Sequence, residues 1–255
     1  MPTETSKQHH EIEKSLQPGE LHLIFCTHEV GNYSRILDAV GATSPDIIAV
    51  ELAGESELMR HDFEQEVNAQ ISGRQPGEVA DDIGYLEEDI IERFRGTSVR
   101  YVTIDAELET EAGELVKQAG QHLWQYGKYE KDTSPTGAVY RRFHAENYLE
   151  TTSRGDAMRE EIMADQLEAL ADANPGKRIT AIIGMLHDRI ADDIDDDISV
   201  EVTYVPRKAD EERGLHGRFT RYELGQRALA AGTMRLDEVL AYCLDRDGRF
   251  IDYDD

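Results

Sequence analysis

The chain is poor in cysteine, lysine, tryptophan and long apolar runs. Its 255 residues hold two cysteines, Cys26 and Cys243, a single tryptophan and seven lysines. Two cysteines so far apart build neither a disulfide framework nor a zinc ribbon, which points to a reducing compartment, the cytoplasm. No stretch approaches the roughly 20 apolar residues that span a bilayer, and the opening "MPTETSKQHHEIEKSLQPGE" lacks the apolar core of a signal peptide. A soluble, unprocessed protein without a membrane partner is expected. Also missing are the G-x-x-x-x-G-K-[ST] phosphate loop, a G-x-G-x-x-G turn after a strand and the G-x-S-x-G nucleophile elbow, so the chain carries no nucleotide-binding or serine-hydrolase signature of these kinds.

Acid is abundant. There are 53 Asp and Glu against 27 Lys and Arg, a formal charge of −26 spread along the whole chain. That field repels a phosphate backbone and disfavours nucleic acid as a partner. It also repels itself, and concentrated salt relieves such repulsion by shortening the Debye length to about 3 Å at 1 M. The composition therefore suggests a salt-adapted cytoplasm such as that of a halophilic archaeon.

The hydrophobic pattern alternates between strand and helix. Apolar runs at 21–28, 45–52, 98–107, 178–184 and 199–205 read as five strands. Helical spacing covers 32–42, 55–71, 78–95, 108–127 and 137–173, the last with a boundary near Thr151-Thr152-Ser153, and a short helix is expected from His187. Strands alternating with helices predict an α/β fold, a mainly parallel sheet covered on both faces, with a helical insertion. Residues 1–18 read as a flexible lead-in and 19–206 as the α/β domain. Residues 207–255 read as a C-terminal extension, loop-like at first and then helical from about Tyr222 to Leu244, packed on the same domain. The acidic run 192–197 reads as a solvated loop.

The carboxyl ends of the predicted strands carry polar groups. The first ends at Thr27-His28, the second at Glu51, the third at Asp105, and the fourth at Gly184 with His187 three residues on. A parallel sheet brings such ends to one edge, where open α/β sheets bind ligands. Two imidazoles and a carboxylate form a ligand set for a divalent metal, which would lower the pKa of bound water to about 7. Without a metal, Glu51 beside His28 or His187 forms a general acid–base pair. The residues leave both alternatives open. Arg159 shares a helical face with Met163, Leu167 and Leu170, so its guanidinium either snorkels to water or is held by a carboxylate such as Glu51 or Asp105. His61, His122, His144 and His216 lack ligand partners at suitable spacing, and "VYRRFHAENY" (139–148) reads as a helix packing over the crevice.

These residues resemble the TraB family of pheromone-shutdown proteins, within a group that includes erythromycin esterases, haem-binding ChaN lipoproteins and Tiki metalloproteases. The resemblance rests on "GMLH" (184–187), "REEIMA" (159–164), "IIAVEL" (47–52) and "TID" (103–105), in that group's motif order. Two departures stand out: Phe25 in "FCTH" (25–28) where a second glycine is expected, and Ala106 where the family carries arginine. The resemblance covers roughly residues 20–205. It implies an α/β fold with His28, Glu51 and His187 at one site.

Two functions follow as expectations. The first is a metal-dependent, peptidase-like hydrolase with His28, Glu51 and His187 at a divalent ion, and Glu51, Asp105 and Arg159 in the catalytic machinery. Its substrate would be a small molecule or peptide. The second is a non-catalytic ligand-binding or regulatory protein that holds haem or a peptide in the same crevice. A homo-oligomer is compatible with either.

Overall fold

The computed structural model describes residues 18–52, 56–74, 83–107, 109–206 and 221–251. Its apolar runs form strands β1 (Glu20–Cys26), β2 (Ile47–Glu51), β3 (Arg100–Ile104), β4 (Arg178–Gly184) and β5 (Val200–Val205). All pair in parallel, in the order β3-β2-β4-β1-β5. The expected α/β class, with helices on both faces of a parallel sheet, is the one the chain adopts.

Alternation along each strand divides two cores. Ile48 and Val50 of β2 face α1 (Tyr33–Thr43), α2 (Glu57–Ile71) and α3 (Tyr85–Phe94), against Ile36, Val67 and Ile90. Ile47 and Ala49 face the other layer, which contains Met163, Leu167 and Ile190. That layer is made by α5 (Pro135–Ala173) and the short α6 (Ile190–Asp193), while α4 (Glu111–Tyr129) packs alongside α5. Ser56, Thr110 and Ser134 cap α2, α4 and α5 by accepting backbone N–H bonds, and Pro135 opens the last of these where its missing donor costs nothing.

Connections moving toward β3 run over the first face, and those returning run over the second, so every crossover has the same hand. Between neighbours β2 and β4 the chain therefore departs to opposite faces. This is the point at the carboxyl edge where open α/β sheets bind ligands.

Two boundaries differ from expectation, and the helical tail gains detail. The break near Thr151-Thr152-Ser153 is absent, and α5 continues for 39 residues. Two of its hydroxyls bond in place: Thr151 Oγ1 donates back to the Asn147 carbonyl at 2.6 Å, and Ser153 Oγ donates to the Gln226 carbonyl. At His187 the chain makes one 3₁₀ turn, Met185–His187, and α6 begins only at Ile190. The tail is two helices, α7 (Arg221–Ala230) and α8 (Leu236–Cys243), divided where Gly232 takes φ +65° and the Thr233 N–H bonds the Ala228 carbonyl. Val239, Leu240 and Cys243 of α8 pack on Tyr126, Ala145 and Leu149 of the α4–α5 pair. The lead-in 1–17, the start of the predicted 78–95 helix through residue 82, and residues 207–220 lie outside the described residues. Among the described residues, no helix is long and apolar enough to cross a membrane.

Candidate functional site

Glu51 is the last residue of β2, on the face shared with Ile47 and Ala49, so it points toward α5. There Arg159 meets it. Arg159 Nη2 donates to Glu51 Oε1 at 2.5 Å, its Nε and Nη2 form a fork onto both oxygens of Asp105 at 2.9 and 2.5 Å, and Nη1 reaches Asp156 Oδ1 at 3.2 Å. The question left open by the sequence is answered: the guanidinium is buried and held by carboxylates, and does not snorkel. Burial disfavours its charge, but the Asp105 hydrogen bond and the surrounding carboxylates raise its pKa.

Asp105 follows β3 and is fully buried. Its φ of +135° is a conformation that suits glycine. Neighbours hold it there. Its N–H donates to Gln166 Oε1 at 2.7 Å, Arg60 Nη1 donates to its carbonyl at 2.8 Å, and its Oδ1 accepts from the Ala106 N–H at 2.6 Å. Strain of this kind costs about 1–3 kcal/mol and persists only where surroundings over-determine it.

The fourth strand brings its glycine against Glu51. The Gly184 N–H donates to Glu51 Oε2 at 2.5 Å, and a Cβ on Gly184 would lie 3.0 Å from the same oxygen. A side chain there would press on the carboxylate, so glycine favours this close approach. Beyond it His187 lies between two carboxylates, Nε2 at 3.5 Å from Glu51 Oε1 and Nδ1 at 3.5 Å from Glu160 Oε1. Burial works against its charge, yet Glu51 and Glu160 carry its pKa up to about 10. For Glu51, burial works against ionisation, but His187, Arg159 and His28 hold the carboxyl well below its usual range.

His28 stands two residues beyond β1. Its Nε2 is 3.9 Å from Glu51 Oε2, and its side chain is 35% exposed against 13% for Glu51 and 4% for His187. It is the member of the group that faces solvent most openly. All five residues selected from the sequence, His28, Glu51, Asp105, Arg159 and His187, therefore meet at the carboxyl edge.

Phe25 does not stand opposite Gly184. The register pairs Phe25 with Ile183 and Cys26 with Gly184. Phe25 is a core residue of the α5 face, with its ring 5.7 Å from that of Tyr204. The spacing "FCTH" and the spacing "GMLH" are offset by one residue in space. Cys26, level with Gly184, is buried, and burial together with the Glu51 charge pushes its thiol up to about 12, so it is inert as a nucleophile.

These groups are paired directly with one another. Among the described residues, no three His, Cys, Asp or Glu side chains are placed to hold one. Arg159 stands between the carboxylates of Glu51 and Asp105, and His187 is flanked by those of Glu51 and Glu160. The expected ligands His28, Glu51 and His187 are gathered, but as an ion-pair network.

Several members of the network had not been singled out. Asp156 and Glu160 lie at i−3 and i+1 from Arg159 and share its buried face. Burial pushes the Asp156 carboxyl up, offset by His187, Arg159 and the Gln226 amide that donates to it. A buried stripe containing Asp156, Arg159, Glu160 and Met163 was the available signal; Gln226 and Gln166 left none. The histidines set aside also need correction, because His122 and His144 face each other, Nδ1 to Nδ1 at 3.3 Å. His61 instead pairs with Gln65, and His216 lies outside the described residues. The segment 139–148 belongs to the α4–α5 pair, with Arg141 bonded to the Asp247 carbonyl and Ala145 in the tail's core, and does not cover the crevice.

A groove of about 420 Å³ lies at the opposite edge, between the starts of β1, β4 and β5. Its polar groups are engaged with one another, Thr43 with Thr180 and His22 with Thr203. The convergent chemistry, by contrast, is at the carboxyl edge. Compared with known proteins, the chain matches no family model, no curated sequence and no solved structure.

Proposed function

We propose that the protein is a hydrolase of a small-molecule ester or a peptide, working by acid–base chemistry at His28 and Glu51. The observation that carries this reading is Glu51, its carboxyl held from behind by Arg159 and Gly184 and kept well below its usual range, beside an imidazole that opens to solvent. His28 takes a proton from water as the water oxygen bonds to the carbonyl carbon, then returns it to the leaving group as the carbon–heteroatom bond breaks. Glu51 stabilises the imidazolium formed in between. His28 Nε2 and Glu51 Oε2, 3.9 Å apart, are within reach of a direct hydrogen bond after a small side-chain movement. Arg159, Asp105 and His187 are positioning residues: Arg159 and His187 favour the ionised Glu51 from within the protein, and Asp105 holds Arg159. The resemblance of "GMLH" and "REEIMA" to the TraB-like group supports the same site.

The test is a panel of p-nitrophenyl esters and short peptides, incubated in concentrated KCl with the wild-type protein, His28→Ala and Glu51→Gln. Turnover that falls about 10²–10⁴-fold in both variants supports the reading, since that is what a positioned acid–base group contributes. Equal rates in all three would overturn it. Saturable binding of a panel member without turnover would favour the ligand-binding alternative.

A further inference from the structure

The two edges of the sheet end differently. At the β3 edge the Arg100 N–H bonds inward to the Asp46 carbonyl and the Ile104 carbonyl inward to the Leu52 N–H, so Tyr101, Thr103 and Asp105 turn their backbone groups outward. Helix α2 closes that edge with side chains. Asn68 accepts from the Tyr101 N–H and donates to the Tyr101 carbonyl, both at 2.8 Å, and Glu64 accepts from the Thr103 N–H at 2.6 Å. Arg60 donates to the Thr103 and Asp105 carbonyls at 3.0 and 2.8 Å, so no further strand can add there.

The β5 edge carries no such cover. The Leu21 N–H donates to the Ser199 carbonyl, so Ser199, Glu201 and Thr203 turn their backbone groups toward β1, and Val200, Val202 and Tyr204 turn theirs outward. Among the described residues no hydrogen bond reaches those outward groups. The side chains of Val202 and Tyr204 are 40% and 51% exposed. The strand pairs with β1 without a bulge and holds neither lysine nor proline, the usual guards of an open edge. Pro206 ends it, having no N–H to give.

What fits this edge follows from its own sequence. In "VEVTY" (200–204) the residues on either side of Val202 match in kind, with Glu201 and Thr203 polar and Val200 and Tyr204 apolar. An antiparallel copy related by a two-fold axis at Val202 sets Val202 against Val202, Val200 against Tyr204 and Glu201 against Thr203, each pair on one face of the sheet. The three outward residues then exchange both backbone groups with those opposite them. Charge is complementary too. Glu201, the one charged residue of the strand, is held by its own His22 at 3.2 Å and meets a threonine hydroxyl across the axis instead of a second carboxylate.

We infer that the β5 edge is a dimer interface: two copies of the chain join antiparallel through residues 200–204 into one ten-stranded sheet, five strands from each. The two carboxyl edges then open in opposite directions, and the interface is independent of the chemistry proposed there.

Sedimentation velocity of the full chain over a concentration series, in 0.1 and 2 M KCl, tests this. The variants are Val202→Pro, Tyr204→Ser and, on an exposed apolar position of α5, Val139→Ser, each checked for folding by circular dichroism. The expected result is a dimer that is tighter at the higher salt, where repulsion between two acidic chains is screened within about 3 Å. Val202→Pro and Tyr204→Ser should raise its dissociation constant about tenfold or more, and Val139→Ser should leave it unchanged. Val202→Cys gives a readout of the axis itself. Opposed residues that exchange backbone bonds have Cα atoms about 5.5 Å apart, within disulfide range, and the native Cys26 and Cys243 are buried. Under oxidised glutathione that variant should form a covalent dimer, and Val139→Cys should not. A Val202→Pro protein that dimerises as the wild type does, or a Val202→Cys protein that stays uncrosslinked, would overturn the inference. So would a wild-type monomer at both salt concentrations, which would leave the edge to a strand of another protein.

Discussion

Arg159 Nη2 lies 2.5 Å from Glu51 Oε1, joining residues 108 positions apart in the chain. The same guanidinium holds Asp105 and Asp156, so one cation balances three buried or nearly buried carboxylates. Removing it leaves them uncompensated in a low-dielectric interior, which costs about 3–5 kcal/mol when one partner of a buried pair is lost. Arg159→Met should lose that amount in denaturant unfolding at fixed high salt. Arg159→Lys should lose part of it, because an ammonium cannot reproduce the fork onto Asp105. A loss below about 1 kcal/mol for the methionine variant would mean that the network is not a coupled unit.

Gly184 offers a sharper steric prediction. An added methyl meets Glu51 Oε2 at 3.0 Å, so either the carboxylate or the end of β4 must shift. Gly184→Ala should cost about 1–3 kcal/mol, as overpacking does, and should lower any turnover more than its effect on stability explains. Parallel unfolding and rate measurements on the variant check both parts.

The pH dependence of stability follows from two shifts of opposite sign. His187 is raised from 6.5 to about 10, so its contribution is complete below about 6.5 and is lost as pH rises through about 10. Glu51 is lowered, so its contribution is complete above about 4.5 and is lost as pH falls toward its folded value. Stability in constant salt should therefore be broadest between roughly 4.5 and 6.5 for these groups and decline on both sides. His187→Gln should flatten the alkaline decline and leave the acid limb. A variant with an unchanged alkaline limb would refute the assignment.

Salt should act on the surface more than on the site. With a formal charge of −26, raising KCl from 0.1 to 2 M should raise the melting temperature by several degrees, because screening shortens from about 10 Å to under 3 Å. The loss caused by Arg159→Met should change little over the same range, since buried pairs are screened much less. Scanning calorimetry of both proteins at the two salt concentrations provides the comparison.

The parts of the fold readable from sequence were those set by periodicity. Apolar runs such as "RITAIIG" are buried on both sides and became interior strands, and the polar groups at their ends reached one edge because the strands are parallel. Local contacts decided what periodicity could not. Thr151 and Ser153 looked like a boundary, but a hydroxyl that bonds back to its own helix or to the Gln226 carbonyl leaves the helix intact. The equivalence of Phe25 with Gly184 failed because register, which fixes what stands opposite what, is a property of strand pairing and not of spacing. The five site residues were visible as residue types at strand ends and on a helix face. Their arrangement as an ion-pair network was not, because it depends on how Arg159 and His187 divide the carboxylates between them. The facing of His122 and His144 is likewise a product of packing between α4 and α5.

The most direct measurement is the hydrolysis rate of a responsive ester or peptide by the wild-type protein and by His28→Ala, in concentrated KCl with and without EDTA. The account predicts turnover that survives the chelator and falls by about 10²-fold or more when His28 is removed. A wild-type rate abolished by EDTA, or a His28→Ala rate equal to wild type, would contradict it.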